Sequence, residues 1–252
     1  GKVVGPRIVP AAYAFGATGG HCDSTYFPPS MNDRNIYNAD NPEEARKSVR
    51  EVRKYGAQVI KICATGGVFS RNTESGQQQM TYDEMKAVVD EAKMWGIKVA
   101  AHAHGASGIR EAIRAGVGTI EHASLLDDEG IRLAKPYGAW LSMDIYNTDY
   151  TQSEGKKNGV LEDNLRKDRE LADIQRENFR RAHQAGVKMV YGTDAGIFPH
   201  GDNAKQFAVM VRYGMTPTQA IQSATINAAE ALGRGDIGVV ETGRFADIVA
   251  VP

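Results

Sequence analysis

Residues 95–122 read WGIKVAAHAHGASGIREAIRAGVGTIEH. Gly96 stops one helical segment, and the apolar run that follows at once has the length of a buried strand and ends in Ala101-His102-Ala103-His104. Residues 105–115 then read as helix, Gly116 stops them, and a second short run ends in Ile120-Glu121-His122. Strand, helix and strand in this order are the βα units of a parallel sheet. The same device recurs at Tyr55-Gly56-Ala57 and Ala185-Gly186-Val187.

Working outward, strand candidates fall at residues 7–14, 58–64, 97–103, 118–122, 139–145 and 187–193. Helical segments lie between them at 41–55, 81–95, 105–115, 127–137 and 162–185, and two more follow at about 203–213 and 216–232. The first opens on Asn41-Pro42, a cap followed by proline in the first turn. The second opens on Thr81-Tyr82-Asp83-Glu84, close to a capping box. The predicted class is α/β. A (β/α)8 barrel and an open doubly wound sheet share this punctuation, so periodicity leaves both standing. Loops 16–38, 66–80 and 147–159 are long and polar, and in a barrel such loops build the site. Residues 247–251 read as one more strand.

The 252 residues suffice for one large domain or two small ones. Thirty Lys and Arg nearly cancel 31 Asp and Glu, which suggests neither a nucleic-acid nor a membrane partner. No apolar run approaches the ~18 residues of a membrane span. Cys22 and Cys63 form no CxxC pair and give no disulfide framework. They suit a reducing compartment, and a cytoplasmic location is the expectation.

The strand ends carry the chemistry. Lys61 sits inside the apolar run Val59-Ile60-Lys61-Ile62-Cys63, where an unpaired ammonium would be costly. His102 and His104 end the next strand, His122 the one after, and Asp194 follows the last in Gly192-Thr193-Asp194-Ala195-Gly196. Each alone has an ordinary structural explanation. Together, at the C-terminal ends of successive strands, imidazole and carboxylate suit a zinc-like ion with an open position for water.

These phrases, with Ala17-Thr18-Gly19-Gly20-His21, Ala64-Thr65-Gly66-Gly67-Val68, Pro199-His200-Gly201 and the tail Gly243-Arg244-Phe245-Ala246-Asp247, resemble the amidohydrolase superfamily. The likeness is strongest to its imidazolonepropionase-like proteins, prolidases and metal-dependent arginine or lysine carboxypeptidases. It implies an amidohydrolase-type (β/α)8 barrel, here about strands three to eight, with residues 1–234 as partial barrel and 235–252 as the start of a β-sandwich return. It implies two zinc ions, with Lys61 carrying a CO2-derived carboxylate between them and His102, His122 and Asp194 as further ligands. Asp194 would take a proton from the metal-bound water and pass it to the leaving amine. His102-Ala103-His104 follows Lys61 and precedes Glu121-His122, which fits strand five. The family's His-x-His pair belongs to strand one. His104 is therefore expected in the substrate pocket, with both rings of the pair on metal as the alternative, and His21, His200 and Arg71 are expected as further substrate contacts. Asp144 or Asp149 could read a basic substrate residue, and His183 and Cys63 are taken as structural.

The family's first strand, with that pair, has no counterpart here. Six strands cannot close an eight-stranded barrel, so the chain is expected to be part of a longer protein. The leading expectation is a carboxypeptidase- or dipeptidase-like enzyme cutting amide bonds in dipeptides or N-acyl amino acids, as a homo-oligomer. A cyclic-amide hydrolase, deaminase or lactonase of the same superfamily, or a non-catalytic barrel fragment, is the alternative.

Overall fold

Five parallel strands hydrogen-bond in chain order in the computed structural model, which describes residues 5–31 and 35–250. They are β1 (Val59–Cys63), β2 (Lys98–Ala103), β3 (Thr119–His122), β4 (Trp140–Ser142) and β5 (Met189–Val190). A doubly wound sheet reverses its strand order at a switch point. This one never reverses, which is barrel winding.

Alternation divides each strand between two environments. Ile60, Ile62, Val99, Ala101, Ile120 and Leu141 are buried and share one core with Val49 and Val52 of α1 (Pro42–Lys54), Met85 and Val88 of α2 (Tyr82–Met94), and Ile109 and Ile113 of α3 (Ala106–Ala115). The opposite faces, with Ala100, Thr119, Glu121 and Ser142, line a cavity of about 540 Å³. The helices start where their caps predict. Asn41 accepts from the Glu44 amide, and Thr81 and Glu84 form the full reciprocal box. α3 and α4 (Asp128–Tyr137) end on left-handed Gly116 and Gly138, a conformation that costs glycine little.

Four expectations are corrected. Residues 7–14 form no regular strand. They run beside β1, with Pro10 O accepting from Gln58 N and Phe15 exchanging bonds with Lys61 and Cys63. Pro10 has no amide to donate and Ala12 turns to φ 60°, so only an isolated bridge at Phe15 survives. The polar stretch 147–159 contains a helix, α5 (Asn147–Glu154), packed on α6 (Glu162–Gln184) through Gln152 Nε2 to Leu165 O at 3.1 Å. After α7 (Lys205–Arg212), the segment 216–232 divides into α8 (Pro217–Ala224) and α9 (Ile226–Leu232). Thr225, at φ −122° and ψ −94°, breaks the helical path. Residues 247–250 form no strand, while Val251 and Pro252 lie outside the described residues. This tail instead touches the start of the chain, where Arg7 pairs with Asp247 and lies 3.9 Å over the Phe245 ring. Among the described residues no helix is long and apolar enough to cross a membrane.

Candidate metal centre

β2 delivers His102 and His104 to the same side by simple alternation, 4% and 5% exposed. His122 needs more. Regular alternation would set it opposite Glu121, but His122 and Ala123 adopt φ 69° and 49°, and the turn carries the imidazole to the other two. Left-handed backbone at two successive non-glycine residues is strained, and such strain gathers at functional sites. The three ring centroids are 4.7 Å apart in every pair. One nitrogen from each lies within 4.8 Å of the others.

The outer nitrogens are engaged elsewhere. His102 Nε2 donates to Gly66 O at 3.1 Å, and His104 Nδ1 bonds Ser124 Oγ at 2.8 Å. His122 Nδ1 donates to Asp144 Oδ1 at 2.9 Å. Each ring thus has its remaining nitrogen free, the arrangement in which metal-binding histidines are held. Burial, and then the neighbouring cationic groups, push His102 and His104 well below the usual imidazole range, so both lone pairs stay available at neutral pH. Burial works the same way on His122, but the charge of Asp144 and its hydrogen bond outweigh it and raise the imidazole. Burial would raise Asp144 in turn; the His122 charge and hydrogen bond reverse this and lower it.

Asp144 also accepts from Gln175 Nε2 at 3.0 Å and Asn147 Nδ2 at 3.1 Å. Asp149 is taken by Arg176. Asp144 lines the cleft and orients His122, while Asp149 is not among the cleft's lining residues. Asp194 follows β5 at φ 53°, and its Oδ2 receives Asn147 Nδ2 at 3.4 Å. With His122 and Asp144 it forms a second group whose ligand atoms lie within 4.8 Å of one another. Asp194 keeps contact with solvent. Enclosure by the cleft walls raises its carboxyl, against the pull of His122 and with the push of Asp144.

Lys61, His21 and these groups line one cleft of about 310 Å³, with Val68, Phe69, Leu171 and Ile197 as its apolar wall. The His21 ring stacks on His102 at 4.1 Å, while its buried Nδ1 has no partner. Burial first, then His122 and Lys61, lower its pKa to about 4. Its fit depends on Gly67, where a Cβ would stand 2.3 Å from the ring. Arg71 and His200 are not brought into the cleft. Both are exposed, with Arg71 5.5 Å over Tyr26 and His200 on a short 3-10 turn.

Ser124, Asn147, Gln175 and Asp168 also line the cleft, and no local pattern marks them. They arrive from α5, α6 and the β3 turn only through packing. Cys22 and Cys63, read as giving no disulfide framework, are joined by a disulfide with Cα atoms 5.8 Å apart. Forty-one residues separate them, and only the fold brings them together. Three convergent imidazoles anchored at their outer nitrogens, with a carboxylate beside them, fit a divalent metal ion.

The chain matches the model of the amidohydrolase family over residues 2–252. It is 35% identical over 271 aligned residues to the ochratoxinase of Aspergillus niger, an alignment covering 100% of this chain and 55% of that protein. The crystal structure of an Xaa-Pro dipeptidase with methionine bound in its active site superposes with a TM-score of 0.90 and 37% identity, over 98% of this chain and 62% of that one. The Aspergillus niger ochratoxinase structure gives 0.84 and 33%, over 97% and 59%. The chain therefore spans about half the length of the curated relatives it matches. On the family match, supported by fold and by strand-end residues, this chain belongs to the amidohydrolase family.

Proposed function

We propose that this chain carries the metal-binding, catalytic part of a hydrolase that cleaves amide bonds in dipeptides or N-acyl amino acids. The observation that carries the reading is the convergence of His102, His104 and His122, each anchored at its outer nitrogen, beside the Asp194 carboxylate. The likeness to an Xaa-Pro dipeptidase supports the choice of bond.

His102, His122 and Asp194 are the protein ligands in this reading, with Lys61 joining them once CO2 has converted its amine to a carboxylate. Zinc is the expected ion, and it would supply carbonyl polarisation and a water made acidic near neutral pH. The remaining work falls to side chains. Asp144 holds His122 in the tautomer whose Nε2 faces the centre. Asp194 takes the proton of the attacking water and returns it to the departing amine nitrogen. His104 and His21 face the substrate. The apolar wall of Val68, Phe69, Leu171 and Ile197 takes its side chain and excludes water.

The test is metal content and Lys61 mass on protein prepared with zinc and bicarbonate, followed by hydrolysis of a panel of Xaa-Pro dipeptides and N-acyl amino acids. Retention of zinc by this chain, a CO2 adduct at Lys61 and chelator-sensitive hydrolysis are expected. Protein that retains no zinc, or hydrolysis indifferent to chelator, would sink the reading.

A further inference from the structure

We propose that Cys22 and Cys63 form a reversible thiol–disulfide site that sets the position of His21 over the metal centre. Cys63 ends β1, two residues beyond Lys61, and stands in register with His102. Cys22 directly follows His21 in the loop after Phe15. Their Cα separation of 5.8 Å lies within the range a disulfide spans. Both line the cleft, so a small thiol can approach them from the substrate side. Cys63 is 3% exposed whereas Cys22 is partly exposed, which makes Cys22 the sulfur open to attack.

The bond matters for His21 because of where slack exists. Apart from the disulfide the loop is tied by hydrogen bonds, among them His21 N to Gln79 Oε1 at 2.8 Å, Asn35 Nδ2 to Cys22 O at 2.9 Å, Thr18 N to Asp40 Oδ1 at 2.7 Å and Gly19 N to Asp23 Oδ2 at 2.9 Å. Bonded sulfurs sit about 2 Å apart, while unbonded ones need roughly 3.5 Å or more. Reduction therefore separates the two sulfurs by about 1.5 Å or more and removes the covalent tie between the loop and β1. Cys63 is held in the β1 ladder and by the hydrogen bond from its amide to Phe15 O at 2.9 Å, so the Cys22 side is the one released. His21, adjacent to Cys22 and wedged between Gly67 and His102, loses with that tie the covalent restraint next to its backbone.

The chemistry balances with a small thiol and its disulfide, such as glutathione. The attacking thiolate forms a bond to Cys22 Sγ, and Cys63 leaves as thiolate and takes up a proton. A second thiolate attacks the external sulfur of the mixed disulfide and releases the small disulfide, while the Cys22 thiolate takes up a proton. Two electrons and two protons enter the pair, and the small disulfide reverses both steps. The oxidised state holds His21 on His102, and the reduced state releases it.

The experiment places the whole chain in glutathione buffers from reducing to oxidising, and reads three quantities. These are thiols titrated after denaturation, amide hydrogen exchange at His21 and Asp23, and zinc affinity by competition with a chelating dye. A single two-electron transition is expected, with exchange at His21 at least tenfold faster in the reduced state. Zinc should then be held about tenfold less tightly, as when a group supporting a ligand is lost. Cys22→Ser should show reduced behaviour at every potential, and because its site is partly exposed it is the safer variant beside Cys63→Ser. Two free thiols at every potential, or oxidation that leaves His21 exchange unchanged, overturns the proposal. Equal zinc affinity in both states overturns the coupling to the centre. That last readout rests on the metal-site reading: if exchange responds but zinc binds neither state, the thiol site stands and the metal reading fails.

Discussion

Asp144→Ala removes a carboxylate that is 6% exposed and accepts from three side chains: His122 Nδ1 at 2.9 Å, Gln175 Nε2 at 3.0 Å and Asn147 Nδ2 at 3.1 Å. Each abandoned donor costs about 1–3 kcal/mol when buried, and water from the adjoining cleft recovers part of this. Breaking one side of a buried charge pair costs about 3–5 kcal/mol, so a net loss of that size is expected for metal-free protein. Its pH dependence has a definite sign. His122 is raised in the fold, so its contribution is complete below its unfolded pKa and fades as pH rises through the folded value. Asp144 is lowered, so its contribution is complete above the unfolded carboxyl pKa and fades as pH falls through the folded value. The gap between wild type and variant should therefore be widest near pH ~5–6 and narrow toward pH ~9. Urea unfolding of the metal-free proteins at several pH values measures it. Asp144→Asn keeps the volume and one acceptor, and should lose only about 1–3 kcal/mol. A gap below ~1 kcal/mol for alanine, or one that widens from pH ~6 to ~9, would refute the assignment of Asp144 as the charged partner of His122.

Gly67→Ala would place a methyl 2.3 Å from the His21 ring, so a loss of about 1–3 kcal/mol and displaced His21 resonances are expected; an unshifted thermal midpoint would show that the loop yields freely. Glu91 is lowered first by its paired hydrogen bonds from Arg50, against burial, so its contribution is present above the unfolded carboxyl pKa and disappears as pH falls. Thermal midpoints of wild type and Glu91→Gln should differ at neutral pH and converge below pH ~3, and parallel curves throughout would contradict the pairing. Asp194→Asn should reduce turnover by about 10²- to 10⁴-fold, measured at saturating dipeptide with zinc content checked in parallel. Turnover within a few-fold of wild type would remove Asp194 from the proton path.

Much of the architecture was legible because glycine punctuation is local. Gly96, Gly116 and Gly138 end helices that the sequence alone delimits, and each of β1 to β5 lies inside a predicted run. The failures are equally specific. Residues 7–14 carry strand-like side chains, but Pro10 and Ala12 deny them a ladder. Residues 147–154 lack an apolar stripe and become helix only through bonds to α6, such as Thr148 Oγ1 to Asp168 Oδ2 at 2.7 Å. Thr225 breaks a segment whose periodicity runs straight through it.

For the site, the amino-acid order alone determined which chemistry-bearing side chains arrive at strand ends. Lys61, His102, His122 and Asp194 could be named because a parallel βα repeat sends every strand's C-terminal end to the same face. The tertiary structure decided what that order cannot encode locally. It turned His122 across the strand through two left-handed residues, gathered Asp144, Asn147 and Gln175 behind it, and left Arg71 and His200 outside the cleft. It also closed Cys22 onto Cys63 across 41 residues. Strand periodicity reports one residue's face at a time, whereas these contacts depend on distances between elements, which only packing sets.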